Sequence, residues 1–294
     1  MEVRVFDADC QRFVDFYDIP QYGSGVLAIV IDAHQDYLSR IFNSQEFMTA
    51  DKRVYAVRES LPYSGIENVL PRNQSAFDLV VTCQKRINPL LNIPTVYFPV
   101  GHRWVEPITQ EELNKIDRKF SVSWLQGKKM MSCFPGHVFR RQVTDFLLAN
   151  EESFSLSLHN FPPEVFIPRK EPVFDTNQFS IIVENHIAPG YLTEKLQDPI
   201  SRLTIPIYRG APDASEIFDA RGMFQFTTIE ELSSILRSIT PQTYEQMYPF
   251  ALKNFHISKE LCERELVNMR GRNEKGRMTS FISAAITESI GFFK

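Results

Sequence analysis

The chain has 294 residues, the length of about two ordinary domains. Its 43% hydrophobic and 23% charged residues are close to the globular average, which excludes a globally disordered chain. The net charge is −4 and the basic residues form only short pairs, as at 128–129 and 140–141, so we expect no nucleic-acid partner. Such pairs suit a small anion, for example a diphosphate.

The first 110 or so residues alternate short apolar runs with polar breaks. Runs of four to seven residues rich in Val and Ile predict buried strands. They lie at 26–32, 53–57, 77–83 and 95–100, and a helix is predicted at 37–47. This alternation favours an α/β domain with a largely parallel sheet. The polar segment 107–119 is predicted to lead into a second domain.

The second half continues the α/β pattern. Strands are predicted at 128–133, 179–183 and 204–208, a loop at 161–174, and helices at 137–150, 193–203, 229–238, 244–270 and 279–293. The predicted domains are 1–120 and 121–270, followed by a final helix over 271–294 that packs back on the first domain.

Neither the cysteines nor the acidic pairs indicate a bound metal. The four cysteines, at 10, 83, 133 and 262, lack zinc-ligand spacing and read as reduced, intracellular thiols. The pairs Asp7/Asp9 and Asp32/Asp36 lack the context that a metal site needs. The longest apolar run near the start, 25–31, is too short to span a bilayer. We therefore expect a soluble, cytoplasmic protein without a membrane span.

The segment from 179 to 212 has the features of a ligand site. A strand ends at Glu184–Asn185, a Pro-Gly loop follows, and Thr193 begins a helix with Glu194 and Lys195 in its first turn. Ligands of parallel sheets bind beyond the carboxyl ends of strands, and a helix N-terminus favours a phosphate. The alternative is that Thr193 is only a cap and Lys195 a solvated surface residue.

The order of these residues closely resembles the donor-binding motif of the family-10 glycosyltransferases, the α-1,3/4-fucosyltransferases. The matching elements are Glu184-Asn185, Tyr191-Leu-Thr-Glu-Lys195 and Pro206-Ile-Tyr-Arg-Gly-Ala-Pro212. The resemblance implies donor binding by the motif residues Glu184, Asn185, Tyr191, Thr193, Glu194 and Lys195.

Two weaker matches suggest further roles. The run Cys133-Phe-Pro-Gly-His-Val-Phe-Arg140 resembles the family's helix that carries a diphosphate-binding arginine, so Arg140 is a predicted donor-binding residue. The run Val54-Tyr-Ala-Val-Arg-Glu59-Ser-Leu-Pro62 resembles the strand that ends at the proposed catalytic base, which implies that role for Glu59. The alternatives are an ordinary helix charge at Arg140 and a solvated carboxylate at Glu59. Asp78 is the next candidate for the base.

The resemblance implies an α/β, GT-B-like architecture, with two Rossmann-like domains facing a central cleft and the acceptor bound by the first. The implied function is inverting, metal-independent transfer of L-fucose from GDP-fucose to a glycan hydroxyl, without a cofactor. Arg209 and the loop that begins at His186 depart from the family pattern, which leaves UDP-xylose open as the donor. A non-catalytic nucleotide- or carbohydrate-binding protein is the alternative of another class. Acceptor and oligomeric state stay open.

Overall fold

The computed structural model describes residues 2–7, 25–33, 35–57, 66–97, 103–127, 135–159 and 167–266. The chain divides into two compact units: the first includes the chain up to Val100 together with Pro189–Tyr191, and the second includes Gly101–Ala188 and Leu192–Cys262. Within the described residues, each unit contains one five-stranded sheet in which every strand pair is parallel. The predicted α/β class with two parallel-sheet domains is therefore confirmed.

The first unit carries its strands in sequence order across the sheet. The strands are β1 Glu2–Asp7, β2 Val26–Ile31, β3 Lys52–Val57, β4 Leu79–Thr82 and β5 Thr95–Tyr97. The helices are α1 Gln35–Phe42, α2 Gln45–Met48 and α3 Ile66–Asn73, with 3₁₀ turns at Gln74–Ala76 and Lys85–Leu90. The central strands β2, β3 and β4 are almost wholly buried, which explains why their runs of Val, Ile and Leu were recognisable as strands.

The helix predicted at 37–47 is two helices. The first ends at Phe42, and Ser44 caps the second, because its hydroxyl accepts a hydrogen bond from the Phe47 amide at 3.2 Å.

The second unit has the sheet order β10-β9-β8-β6-β7. Its strands are β6 Lys119–Leu125, β7 Leu156–His159, β8 Asn177–Val183, β9 Ile205–Arg209 and β10 Phe224–Gln225. Its helices are α4 Gln110–Leu113, α5 Pro135–Ala149, α6 Glu171–Asp175, α7 Glu194–Ile200, α8 Ile229–Ser238 and α9 Pro241–Leu266, with 3₁₀ turns at Glu151–Ser153, Ala214–Glu216 and Ala220–Gly222.

Helices cover both faces of this second sheet. Apolar side chains of α5 and α8 pack with Phe179, Ile181 and Val183, whereas those of α6 and α7 pack with Ile182 and Tyr208. Neighbouring residues of a strand point to opposite faces, so these two clusters are two separate core layers. No helix within the described residues is long and apolar enough to cross a membrane.

Several predictions need correction. Residues 107–119 are not only a connection, because Lys119 begins β6, and α6 begins inside the predicted loop 161–174. The predicted strand at 128–133 and the predicted final helix lie outside the described residues.

The irregular segment that precedes α4 is fixed to the second unit by buried side chains. The Asp198 carboxylate accepts hydrogen bonds from the Trp104 amide at 2.7 Å and from Lys170 Nζ at 2.8 Å. Trp104 is 46% exposed, and Lys170 Nζ lies 5.4 Å from the centroid of its ring. The other tryptophan, Trp124 of β6, is 3% exposed and donates from its indole nitrogen to Thr144 Oγ1 at 3.1 Å.

Candidate functional site

The second sheet has a topological switch point between β6 and β8. The chain leaves β6 through α5 toward β7 on one side, and leaves β8 through α7 toward β9 on the other. Connections that leave neighbouring strands in opposite directions open a crevice at the carboxyl end of the sheet, which is where open α/β sheets bind ligands. The residues predicted from the motif begin at this edge, directly after β8.

Glu184 is the first residue after β8, and its side chain is fully buried. Its Oε1 accepts from the Thr193 amide at 3.0 Å and its Oε2 from the Thr193 hydroxyl at 2.7 Å. Burial raises the pKa of the Glu184 carboxyl, and the nearby Lys195 opposes that rise. Glu184 is therefore placed to fix the start of α7.

Thr193 is the N-cap of α7, since its hydroxyl accepts from the Lys195 amide at 3.2 Å. The Lys195 side chain, 24% exposed, brings Nζ to 2.9 Å from Glu194 Oε1, 3.3 Å from Thr193 Oγ1 and 3.9 Å from Glu184 Oε2. Burial alone lowers the pKa of Lys195, but the carboxylates of Glu194 and Glu184 raise it above its usual value. Lys195 therefore keeps its positive charge at the switch point.

Asn185 follows Glu184 and is held by two side chains from α5. The Asn185 Oδ1 accepts from Arg140 Nη2 at 2.8 Å and lies 3.2 Å from His137 Nε2. Arg140 also donates to the Val183 carbonyl, from Nε at 3.1 Å and from Nη2 at 2.6 Å. Both α5 side chains are buried, and Arg140 is near enough to Lys195 for the two charges to interact.

Two glycines allow this close packing. A Cβ on Gly136, in the first turn of α5, would lie 2.6 Å from the Asn185 carbonyl oxygen and closer still to the Glu184 carbonyl oxygen. A Cβ on Gly210, directly after β9, would lie 2.6 Å from Glu184 Cγ. Real Cβ contacts do not reach such distances, so both positions require glycine if the main chain stays in place.

Arg209 ends β9 beside the site. Its guanidinium lies 3.7 Å from the centroid of the Phe139 ring, and its Nε donates to the Thr227 carbonyl at 3.0 Å. Arginine often stacks on aromatic rings in this way, and the N–H groups at the edge of the guanidinium can still donate hydrogen bonds.

The structure thus brings together six of the predicted residues in the second unit: Arg140, Glu184, Asn185, Thr193, Glu194 and Lys195. Tyr191 is buried, within the segment Pro189–Tyr191 that groups with the first unit. His137 was missed as a site residue, because a histidine in the first turn of a helix reads as an ordinary surface residue. The signal available was its place in the run that matches through Arg140.

The predicted base, Glu59, lies outside the described residues; β3 ends two positions before it, at Val57. Its proposed substitute, Asp78, can be located. Asp78 Oδ2 accepts from the Arg53 amide at 2.8 Å, near the start of β3, whereas Val57 at the end of β3 pairs with Thr82. Asp78 therefore lies at the amino edge of the sheet, about 13 Å along the strands from their carboxyl ends. This edge is opposite to the one where β3 ends, two positions before Glu59.

No model of a known protein family matches the chain, and no curated protein matches it. Among solved structures, the chain is similar to an α1,3-fucosyltransferase with GDP-fucose, at 15% identity and a TM-score of 0.48, over 83% of this chain and 79% of that one. It is similar to trehalose-6-phosphate synthase at 8% identity and the same TM-score, over 86% and 76% of the two chains. Similarity at this level leaves the function to be argued from the site.

Proposed function

We propose that the chain is an inverting glycosyltransferase that moves a sugar from a nucleoside diphosphate to a glycan hydroxyl. The observation that carries this proposal is the switch-point edge, where Lys195, Arg140 and Asn185 are gathered by α5, α7 and the end of β8. Cationic and amide donors at the ligand-binding edge of a parallel sheet suit the oxygens of a diphosphate. The motif resemblance supports the same class of ligand.

In the proposed reaction, the acceptor hydroxyl oxygen attacks the anomeric carbon from the side opposite the diphosphate. The bond between that carbon and the phosphate oxygen breaks, and its electron pair leaves with the diphosphate. Lys195 and Arg140 offset the negative charge that develops there. Glu59 takes the hydroxyl proton as the general base, and no metal takes part.

GDP-fucose is the favoured donor, because the motif at 191–195 and 206–212 matches fucosyltransferases. Arg209 keeps UDP-xylose as the alternative, since its stacked guanidinium stands where that family has an aromatic residue. A thermal-shift comparison of GDP, UDP and their sugars at equal concentration tests both donors, because a ligand that binds only the folded state raises the apparent stability. No shift with any of them would contradict the proposal; binding without transfer would indicate a non-catalytic protein.

Glu59→Gln tests the proposed base. The variant keeps the shape of the side chain but cannot accept the proton, so we expect transfer to fall about 10²–10⁴-fold. Affinity for the nucleoside diphosphate should stay unchanged, because the base need contact only the acceptor. Initial rates of transfer and calorimetric titration with GDP measure the two quantities.

Glu111→Gln is the matched control, since Glu111 lies exposed in the first turn of α4 and pairs only with Lys115 across one turn. Transfer by Glu59→Gln at close to the wild-type rate would show that another group is the base.

A further inference from the structure

The orientation of the Asn185 carboxamide follows from the chemistry of its neighbours. A guanidinium can only donate hydrogen bonds, so the atom that faces Arg140 Nη2 at 2.8 Å is the Asn185 oxygen and not its nitrogen. The same oxygen lies 3.2 Å from His137 Nε2. That imidazole nitrogen must therefore carry a proton and donate it to Asn185.

The amide nitrogen of Asn185 is left for another partner. With Oδ1 bound on two sides, Nδ2 points away from α5, and among the residues described nothing accepts a hydrogen bond from it. The residue is partly exposed, at the carboxyl end of β8. Two N–H bonds are thus available at the edge where the sheet binds its ligand.

We infer that His137 is a positioning residue, which locks the Asn185 carboxamide so that its NH₂ group binds an oxygen of the nucleotide sugar. The inference rests on the proposed function. Rotation about the last torsion of an asparagine is only weakly restricted by the side chain itself. A half-turn would place the NH₂ group against the guanidinium of Arg140, which has no acceptor, and against a His137 nitrogen that would have to lose its proton to accept.

Arg140 and His137 have different parts in this arrangement. The Arg140 guanidinium also donates two hydrogen bonds to the Val183 carbonyl, so we expect it to keep its position when Asn185 is substituted. His137 is buried at the start of α5, beside Gly136, whose amide donates to the Asn185 carbonyl at 3.0 Å. The ligand oxygen belongs either to the diphosphate or to a sugar hydroxyl.

The test is calorimetric titration with GDP and with GDP-fucose, using wild type, His137→Ala, His137→Gln and Asn185→Ala. We expect His137→Ala to weaken binding about three- to tenfold, the effect of one neutral hydrogen bond. His137→Gln, which keeps a side-chain N–H donor, should bind within about twofold of wild type. In the Asn185→Ala background, His137→Ala should cause no further loss. Loss with both ligands indicates a diphosphate oxygen, and loss with GDP-fucose alone a sugar hydroxyl.

Asn185→Asp is a second variant that does not depend on His137. A carboxylate keeps the acceptor for Arg140 and His137 but has no N–H, so thermal stability should be retained while affinity falls at least as far as in Asn185→Ala. His256→Ala, at an exposed position of α9, is the control. Two results would overturn the positioning role of His137 and leave the proposed function standing. One is an equal loss of affinity from His137→Ala in the wild-type and Asn185→Ala backgrounds; the other is wild-type affinity in Asn185→Asp. A wild-type protein that binds no nucleoside diphosphate would overturn both this inference and the proposed function.

Discussion

Lys195 offers the most direct test of the donor site at the scale of single residues. Its Nζ lies among three acceptor oxygens, of Glu194, Thr193 and Glu184, which hold the ammonium at the start of α7. We expect Lys195→Ala to weaken binding of GDP about ten- to hundredfold, because a charge-assisted hydrogen bond to the diphosphate is lost. Titration calorimetry measures this affinity.

Lys115→Ala is the matched control, since Lys115 is an exposed lysine just after α4 that also pairs with a glutamate, Glu111, four positions before it. If both lysine variants bind GDP as tightly as wild type, the diphosphate does not contact Lys195.

Glu184 leads to a prediction about pH. Burial raises its pKa above the ordinary value of 4.5, so the folded state holds this proton more tightly than the unfolded chain does. The resulting stabilisation is present below pH 4.5 and is lost as the pH rises through the raised value. Glu184→Gln does not titrate, so the wild type's free energy of unfolding, minus that of the variant, should fall as the pH rises from about 4.5 to neutral.

Urea unfolding of both proteins at several pH values measures this difference. Among the residues that the structure describes, Asp198 is the other buried carboxyl with a raised pKa; it is present in both proteins, so its contribution cancels in the difference. A difference that grows with pH would mean that the folded protein favours the charged form of Glu184.

Individual site residues were predictable where their role is local. Thr193 was recognised as a cap because a threonine before a first turn of charged residues marks a helix start. Arg140 was predicted as a donor-binding residue, but its hydrogen bonds to the Val183 carbonyl and the Asn185 side chain were not predicted. Those bonds join residues more than forty positions apart, and the local sequence does not indicate them. The role of His137 was hidden for the same reason.

At the scale of elements, the docking of α5 onto the end of β8 depends on Gly136. In an ordinary helix, replacing glycine by alanine stabilises by about 0.5–1 kcal/mol. Here the added methyl would overlap the main chain of Glu184 and Asn185, so we expect Gly136→Ala to destabilise by about 1–3 kcal/mol and to weaken nucleotide binding. Urea unfolding and titration with GDP check the two effects.

Gly127→Ala is the control for this change, because its added Cβ would meet Arg140 Nη1 at 3.7 Å, an ordinary contact. A Gly136→Ala protein more stable than wild type would show that α5 can move away from β8 without cost.

The elements that were predicted correctly are those with a continuous apolar run or clear helix period. Strand β8 and helix α8 are examples; α8 begins and ends where predicted, at Ile229–Ser238. Strand β6 was missed because it reads Lys-Phe-Ser-Val-Ser-Trp-Leu, and its serines resemble loop residues. Ser123 is nevertheless fully buried, with its hydroxyl 3.3 Å from the Phe179 carbonyl of β8, a partner that only the folded sheet supplies.

For the whole molecule, the pair of cations at the switch point leads to a prediction about metals. If Lys195 and Arg140 offset the charge of the departing diphosphate, transfer needs no divalent ion. Initial rates should therefore be unchanged in excess EDTA. Activity that disappears in EDTA and returns only with Mn²⁺ or Mg²⁺ would require a metal-assisted mechanism instead.

The positions of the two tryptophans determine which part of the molecule tryptophan fluorescence can follow during unfolding. The sequence contains only Trp104 and Trp124, and both belong to the second unit. Trp124 is shielded in the core, whereas the half-exposed ring of Trp104 lies against Lys170, so their emission should differ in colour and in access to a quencher. A fluorescence unfolding curve that follows the tryptophans therefore reports the loss of structure in the second unit, the nucleotide-binding half proposed here.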